Sequence, residues 1–268
     1  MGVSETAYLV CELRKRQLGL SKDLFAEHWI PADLKQKVEK FTDDYLAEAS
    51  PNEDYGVSLR GLFFQKALNE AISDGCDQFI NIAAGFTSYS LNIESNIKTY
   101  ELDLQHIVQE KTVALQKENF KNAKQKPNFI DIDLNDTDDF SDKISTIAKS
   151  KSVVFMEGIS YYLTGEVFLE TLKSLKSIIK PGSYLVMDYW DSDYLRSEIF
   201  LKQSNFFKKY YEIPESYLLL DRYEIENLDG FEVCSLSSAL TEAAINQVPP
   251  EKYSFLPENY AVLKFIGS

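Results

Sequence analysis

Histidine and positive charge are both scarce in this chain of 268 residues. It contains two histidines, and its 28 Lys and Arg residues against 42 Asp and Glu residues give a formal net charge of -14. So few histidines disfavour a histidine-rich metal site or a long proton relay. The negative charge disfavours nucleic-acid binding, because phosphate recognition needs a positive surface. We therefore expect no metal site and no nucleic-acid partner.

Cysteines and long apolar runs are also few. Cys11, Cys76 and Cys234 lie far apart and form neither a CxxC pair nor a disulfide framework, which is typical of a reducing compartment. No run of about 18 apolar residues is present, so we expect no transmembrane helix. Glu5 and the lack of a basic segment at the start disfavour a signal peptide. We expect a cytoplasmic protein with no membrane partner.

Strand-like and helix-like patterns alternate through the middle of the chain. This alternation indicates βαβ units and a parallel sheet. The strand candidates are nearly continuous in apolar residues, which indicates a sheet covered on both faces. Two further candidates follow a long, aromatic-rich insertion. The seven predicted strands are 78–84, 97–102, 128–132, 152–156, 184–187, 231–236 and 261–266.

These patterns predict an α/β fold with a Rossmann-like, doubly wound, mostly parallel sheet of seven strands. Residues 1–55 are expected to form a helical lid, and residues 56–190 a cofactor-binding core. Residues 191–268 would add a helical insertion and the last two strands. We expect all three parts to form one domain, and nothing in the pattern indicates the oligomeric state.

Small and acidic residues follow the predicted strands. Gly85, Asp103, Asp133 and Glu157 follow the first four strands in turn. Ligands of open α/β sheets bind at this edge, and an acid after the second strand can accept hydrogen bonds from both ribose hydroxyls of a nucleoside cofactor. The loop 83–88 has one glycine, whereas a pyrophosphate needs several. The loop favours S-adenosylmethionine over NAD or ATP, although packing alone explains small residues there equally well.

Ordered segments across about residues 5–190 resemble the leucine carboxyl methyltransferase family of class I S-adenosylmethionine-dependent methyltransferases. That family includes bacterial O-methyltransferases of secondary metabolism. No single segment is specific, and the resemblance depends on their order and spacing together. The segments are Thr6-Ala7 through Arg14 with Phe25-Ala26, Arg60, Ile80–Gly85, Tyr100–Asp103 followed by Lys111, Asp131–Leu134, Glu157-Gly158-Ile159 with Tyr162-Leu163, and Pro181–Ser183.

The resemblance implies roles for eight residues in binding S-adenosylmethionine. Arg60 would pair with the methionine carboxylate, because a guanidinium group matches a carboxylate well. Without the resemblance, we would interpret Arg60 as a surface charge. Arg14 would be a second carboxylate contact, although Lys15 and Arg16 compete for that position. Of the others, Ala83 and Gly85 would let the backbone approach the cofactor, Asp103 would hold the ribose, Asp133 and Leu134 would contact the adenine, and Glu157 would lie near the methionine amino group.

The chain departs from the family pattern in the first loop. Ala83 replaces the first of two glycines, and Thr87-Ser88-Tyr89 replaces the Asp-Thr-Arg sequence of many members. The cofactor is therefore better indicated than the acceptor. Aromatic residues make up 13% of the chain, and aromatic faces attract cations such as a sulfonium. Seven of them are candidates for an acceptor or sulfonium pocket, namely Tyr8, Phe25, Phe86, Tyr89, Tyr161, Tyr162 and Tyr189.

The expected function is methyl transfer from S-adenosylmethionine to a small-molecule carboxylate or hydroxyl in secondary metabolism. A carboxylate has a pKa of roughly 4 and is already ionised, so it needs no general base. A hydroxyl would need one, and His28, Asp188 and Glu157 are candidates without a clear choice. Two alternatives stay open. The enzyme could cyclise S-adenosylmethionine to a cyclic amino acid and methylthioadenosine, or a non-catalytic cofactor-binding protein could dock a partner through residues 206–223.

Overall fold

The computed structural model describes residues 3–211 and 216–267, without the side chains of residues 3–5. Within these ranges, a seven-stranded sheet lies between helices on both of its faces. Part of the 206–223 segment, at positions 212–215, lies outside the described residues. None of the described helices is long and apolar enough to cross a membrane.

The strand order is β3-β2-β1-β4-β5-β7-β6. The first five strands in this order run parallel to one another, and β7 runs antiparallel to both β5 and β6. The mixed seven-stranded α/β sheet and the insertion before its last two strands are as predicted. The strands are β1 (Gln78–Ile82), β2 (Lys98–Asp103), β3 (Asn128–Asp131), β4 (Ser152–Met156), β5 (Tyr184–Tyr189), β6 (Phe231–Ser238) and β7 (Asn259–Phe265).

Burial and backbone conformation explain where the strands lie and end. Every residue of β1 and β4 is buried, because each strand has a neighbour on either side and helices above and below. The first strand stops at Ile82, two residues earlier than predicted, because Ala83 turns out of the strand with a φ of 51°. The fifth continues two residues further than predicted, because Tyr189 still pairs with Asn259 of β7.

The helices cover both faces of the sheet and its carboxyl edge. The helices are α1 (Val3–Arg16), α2 (Leu18–Ser21), α3 (Ala26–Trp29), α4 (Lys35–Glu48), α5 (Glu53–Ser73), α6 (Tyr89–Asn92), α7 (Gln105–Ala114), α8 (Thr137–Ser145), α9 (Gly165–Ile178), α10 (Glu198–Phe207), α11 (Arg222–Glu226) and α12 (Ala239–Ile245). One core cluster packs α8 and α9 on the sheet, and a second packs α5 and α12 on the opposite face. Helices α8 and α12 were not predicted from the sequence.

The N-terminal helices lie over the loop that follows β1. Tyr8 of α1 stacks on Phe86 with ring centroids 4.8 Å apart. The indole nitrogen of Trp29 in α3 donates to Ser88 Oγ at 3.0 Å. These contacts hold the lid on the carboxyl edge of the sheet.

A buried ion pair connects this lid to the sheet. Lys111 Nζ of α7 lies 2.5 Å from Glu101 Oε2 of β2, and each side chain is 2% exposed. The same Nζ donates to the carbonyl of Thr87 at 3.3 Å and lies 5.1 Å from the centre of the Trp29 ring. One ammonium group thus joins the second strand, the loop after β1 and the lid.

We predict that Lys111→Met lowers the free energy of unfolding by about 3–5 kcal/mol, because it leaves the Glu101 carboxylate buried without its partner. Urea unfolding at neutral pH measures the change. The double variant Glu101→Leu/Lys111→Met should recover much of the loss, since it removes both charges. Lys173→Met is the control, because Lys173 is 76% exposed and pairs only at the surface. A Lys111→Met variant as stable as this control would contradict the prediction.

Candidate functional site

The carboxyl ends of the parallel strands meet at one edge of the sheet. The order of the strands reverses between β1 and β4, and ligands of open α/β sheets bind at such a point. The loop after β1 and Glu157 after β4 flank this point. Asp103 ends β2, and Asp188 lies near the end of β5. The topology therefore brings the predicted loop and acids to one place.

The loop after β1 adopts a left-handed backbone twice. Ala83 has a φ of 51° and Gly85 a φ of 46°. This conformation costs an ordinary residue roughly 1–2 kcal/mol, so a glycine would suit the position of Ala83 better than an alanine does. Ala83 adopts the conformation nevertheless. A Cβ built on Gly85 would meet no atom within 4 Å, so the backbone there borders open space.

Asp103 fixes the loop and is half-buried. Its Oδ2 accepts a hydrogen bond from Gly85 N at 2.6 Å, and its Oδ1 accepts one from Leu104 N at 2.7 Å. Burial raises the pKa of Asp103, and these two N–H groups oppose that shift. Each carboxylate oxygen can accept a further hydrogen bond. Asp103 therefore combines a structural role with free acceptor capacity.

Two arginines converge on Glu157. Arg14 Nη2 of α1 lies 2.5 Å from Glu157 Oε1, and Arg60 Nε of α5 lies 3.0 Å from the same oxygen. Tyr89 donates its hydroxyl to Glu157 Oε2 at 2.7 Å. Burial alone would raise the pKa of Glu157, but the two arginines outweigh burial and hold the pKa below its ordinary value. Glu157 is thus a buried, ionised carboxylate.

The register of the first helix selects Arg14 rather than its neighbours. Arg14 is 3% exposed and points into the site. Lys15 pairs with Glu12 and Glu39 at the lid surface. Arg16 also pairs with Glu12. The sequence left open which of these three cations faces the site, and in the structure it is Arg14.

Arg60 pairs with two further carboxylates beyond Glu157. Its Nη1 lies 3.2 Å from Asp188 Oδ2 and 3.1 Å from each oxygen of Glu258. Asp188 Oδ1 also accepts from Gly158 N at 2.8 Å. Arg60 is 7% exposed, so the interpretation as a surface charge is wrong. The sequence did not indicate Glu258 as a site residue. Glu258 directly precedes β7, and the start of β7 reaches the carboxyl edge of the sheet only because this strand runs antiparallel to β5.

Glu53 adds a fifth acid to this region. Its Oε2 accepts from Ser50 Oγ at 2.7 Å and from Leu256 N at 3.0 Å, and the side chain pairs with no described cation. Burial first, and then the charge of Glu258, raise the pKa of Glu53 to about 8. Burial likewise raises the pKa of Asp188, against the opposing charge of Arg60. The site therefore holds more acids than its cations can keep ionised.

The two residues predicted to contact adenine lie after β3. Asp133 is exposed, and its Oδ1 accepts from the backbone and side-chain nitrogens of Asn135 at 2.9 and 3.1 Å. Leu134 is buried in the core cluster beneath α8. Both lie at the carboxyl edge of the sheet, and their contact with adenine stays a prediction.

The seven aromatic candidates occupy four different clusters. Tyr8, Phe25 and Phe86 pack together under the lid. Tyr89 lies beside Glu157, whereas Tyr189 packs in the core on the face covered by α8 and α9. Tyr161 is buried against Trp190, and its neighbour Tyr162 is 52% exposed. The structure does not bring these seven residues together as one pocket.

The described residues fit S-adenosylmethionine. Arg60 Nη2 has no hydrogen bond to any described residue, so this donor is free to meet a carboxylate. Glu157 is an ionised acceptor suited to an ammonium group. Open space borders Gly85, and Asp103 retains acceptor positions next to it. No group of three side chains in the described ranges has the geometry to hold a metal ion.

We predict that Glu53→Gln reduces the pH dependence of stability. The pKa of Glu53 is about 8 in the folded state against an ordinary value of 4.5. Proton binding by Glu53 therefore stabilises the folded state at low pH, and this stabilisation is lost as the pH rises through 8. Between pH 5 and 8 the unfolding free energy of the original chain should therefore fall by about 1–3 kcal/mol more than that of the variant. Urea unfolding at both pH values measures this difference.

The exposed Glu251 supplies the control for this measurement. Glu251→Gln should keep the pH slope of the original chain, because the Glu251 side chain is exposed to solvent whereas that of Glu53 is buried. Equal slopes for Glu53→Gln and Glu251→Gln would contradict the prediction.

Comparisons with known proteins show which sequences and structures this chain resembles. A curated relative from Bacillus subtilis (strain 168), YktD, carries a provisional name as an S-adenosyl-L-methionine-dependent methyltransferase. It is 25% identical over 140 residues, which cover 49% of this chain and 44% of the relative. The match thus spans less than half of that relative's length.

Solved structures show the same fold. A DUF574 family protein from Streptomyces avermitilis MA-4680 superposes with a TM-score of 0.66 at 13% identity, covering 91% of this chain and 96% of that one. An S-adenosylmethionine-dependent methyltransferase from Anabaena variabilis ATCC 29413 superposes with a TM-score of 0.52 at 13% identity, covering 85% and 93%.

The family model for leucine carboxyl methyltransferases matches residues 3–176, from the lid into α9. This range contains Arg14, Arg60, Asp103 and Glu157, whereas Asp188 and Glu258 lie beyond it. The match covers well over half of the chain. The protein therefore belongs to the leucine carboxyl methyltransferase family of S-adenosylmethionine-dependent enzymes.

Proposed function

We propose that this protein transfers a methyl group from S-adenosylmethionine to an oxygen of a small molecule, a carboxylate or a hydroxyl, in secondary metabolism. The observation that carries the proposal is the buried group of Arg14, Arg60 and Glu157 beside the loop at Gly85. Both ends of an amino acid find a partner of opposite charge there. The acid Asp103 lies across the same loop, where the ribose of a nucleoside would be recognised.

In this proposal, each part of the cofactor has a partner in the chain. Arg60 Nη2, which has no described hydrogen bond, would take the methionine carboxylate, and Glu157 would accept the ammonium group. Asp103 would accept hydrogen bonds from the ribose through its remaining acceptor positions. The left-handed turn at Ala83 and Gly85 would let the backbone approach the sugar.

When bound, S-adenosylmethionine supplies a methyl group on a positively charged sulfur. The chain then has to position the acceptor and exclude water. Arg14 reaches the site from the lid, so lid closure and cofactor binding are coupled through its ion pair with Glu157. A carboxylate acceptor would need no base. A hydroxyl acceptor would transfer its proton to one of the carboxylates that pair with Arg60.

The comparisons favour methyl transfer over the two alternatives. The family and the named relative both concern methyltransferases. The seven aromatic candidates lie in four clusters, which does not support the closed aromatic pocket that cyclisation of the cofactor would need. A non-catalytic role has no particular observation in its favour. Methyl transfer is therefore the function that we propose.

We predict that Arg60→Lys weakens S-adenosylmethionine binding about tenfold or more, because lysine keeps the charge but loses the forked donors. Asp103→Ala should weaken binding to a similar degree by removing the ribose acceptor. Isothermal titration calorimetry measures both. The controls are Arg196→Lys and Asp193→Ala, whose side chains are 79% and 87% exposed. Unchanged affinity in both site variants would contradict the proposed function.

A further inference from the structure

The two oxygens of the Glu157 carboxylate have different numbers of partners. Its Oε1 accepts from Arg14 Nη2 at 2.5 Å and from Arg60 Nε at 3.0 Å. Its Oε2 accepts from one described group, the Tyr89 hydroxyl, at 2.7 Å. An ionised carboxylate has about four acceptor positions, two on each oxygen. Described residues therefore fill three of the four positions, and the position that they leave open is on Oε2.

Packing holds Tyr89 where its hydroxyl reaches this oxygen. The Tyr89 side chain is 6% exposed, and its ring packs edge-on against Phe155 of β4 with centroids 5.2 Å apart. The guanidinium carbon of Arg14 lies 5.6 Å from the centre of the same ring. Phe155 precedes Glu157 by two residues, so one strand positions both the ring and the carboxylate that its hydroxyl binds.

The Tyr89 hydroxyl accepts a hydrogen bond from the lid and donates one to Glu157. Arg14 Nη2 donates to this hydroxyl oxygen at 3.5 Å, and hydrogen bonds in such a chain polarise and strengthen one another. Burial first, and then the charge of Glu157, raise the pKa of Tyr89 well above its ordinary value. The hydroxyl consequently keeps its proton at neutral pH and remains a donor to Oε2.

The orientation of the Glu157 carboxylate depends on such a donor. The last torsion of a glutamate side chain has only broad intrinsic preferences, so it does not fix the direction of the two oxygens by itself. The two arginines hold Oε1, and among the described residues Tyr89 alone holds Oε2. Without the hydroxyl, Oε2 could turn away, and its open acceptor position would no longer have a fixed direction.

We infer that Tyr89 is a positioning residue for the cofactor, whose hydroxyl fixes Glu157 Oε2 so that the open acceptor position of this oxygen receives the ammonium group of S-adenosylmethionine. This inference rests on the proposed function, in which Glu157 accepts that group. It gives Tyr89 a role that differs from a place in the wall of an aromatic pocket. Tyr89 acts through Glu157 and needs no contact with the cofactor.

The test removes only the hydroxyl and compares two ligands that differ at the amino-acid end. The full chain and its Tyr89→Phe variant are titrated calorimetrically with S-adenosylhomocysteine and with methylthioadenosine, which lacks the amino and carboxyl groups. We expect S-adenosylhomocysteine to bind the variant about tenfold more weakly, because a hydrogen bond between two charged groups loses its alignment. Methylthioadenosine should bind both chains equally. The control is Tyr223→Phe, which should change neither affinity because Tyr223 is 72% exposed.

A double-mutant cycle tests whether Tyr89 acts through Glu157. In the Glu157→Gln background, Tyr89→Phe should change the affinity for S-adenosylhomocysteine less than about twofold, because the neutral amide attracts the ammonium group only weakly. An equal loss of affinity in both backgrounds would show that Tyr89 acts independently of Glu157, and it would overturn the inference.

Three further results would overturn the inference while leaving the proposed function intact. An unchanged affinity of Tyr89→Phe for S-adenosylhomocysteine would show that Oε2 needs no fixed donor. Tighter binding would show that the hydroxyl competes with the ammonium group for Oε2. Equal weakening of both ligands would show that Tyr89 only supports the fold of the site. Failure of the original chain to bind S-adenosylhomocysteine would instead overturn the proposed function, and methylthioadenosine binding shows that each variant is folded.

Discussion

The arrangement of the site depends on Arg60, a buried cation shared by Glu157, Asp188 and Glu258. A single guanidinium group can hold three carboxylates because its donors point in fixed directions within one plane. Its partners come from the ends of β4 and β5 and the start of β7. Removing this cation would leave Asp188 and Glu258 buried without a described cation, and an uncompensated buried charge destabilises a fold strongly. Arg60 therefore fixes the carboxyl edge of the sheet, and in the proposed function it also provides the free donor for a cofactor carboxylate.

The lid depends on the same principle, a buried cation with partners in several elements. Arg14 brings α1 to Glu157, and Lys111 joins Glu101, the carbonyl of Thr87 and the Trp29 ring. In the proposed function, stability and cofactor recognition are linked, because the groups that hold the lid would also surround the cofactor. Part of the excess of acids in the sequence is concentrated at this edge of the sheet. Several of these acids lie where a positively charged nucleoside would be bound.

Much of the fold could be predicted, because buried parallel strands produce short apolar runs and the acids that follow them reach one edge. The sequence could not show that Arg14, rather than Lys15 or Arg16, points into the site. These three cations are consecutive in α1, and only the rotation of the helix about its axis decides which of them faces inward. Glu258 was missed because the direction of β7 depends on pairing with β5. The left-handed φ of Ala83 has no signal in the residue itself. An aromatic pocket could not be assigned from the sequence, because packing between helices uses the same rings as ligand binding.

In the proposed function, Arg14, Arg60 and Glu157 recognise the amino-acid end of S-adenosylmethionine. This recognition is tested most directly by comparing S-adenosylhomocysteine with methylthioadenosine, which shares the nucleoside but lacks the amino and carboxyl groups. Calorimetric titration of the unmodified chain with each compound gives the two dissociation constants. The account predicts that S-adenosylhomocysteine binds at least about a hundredfold more tightly, because two charge-assisted contacts are added. Equal affinities would contradict it.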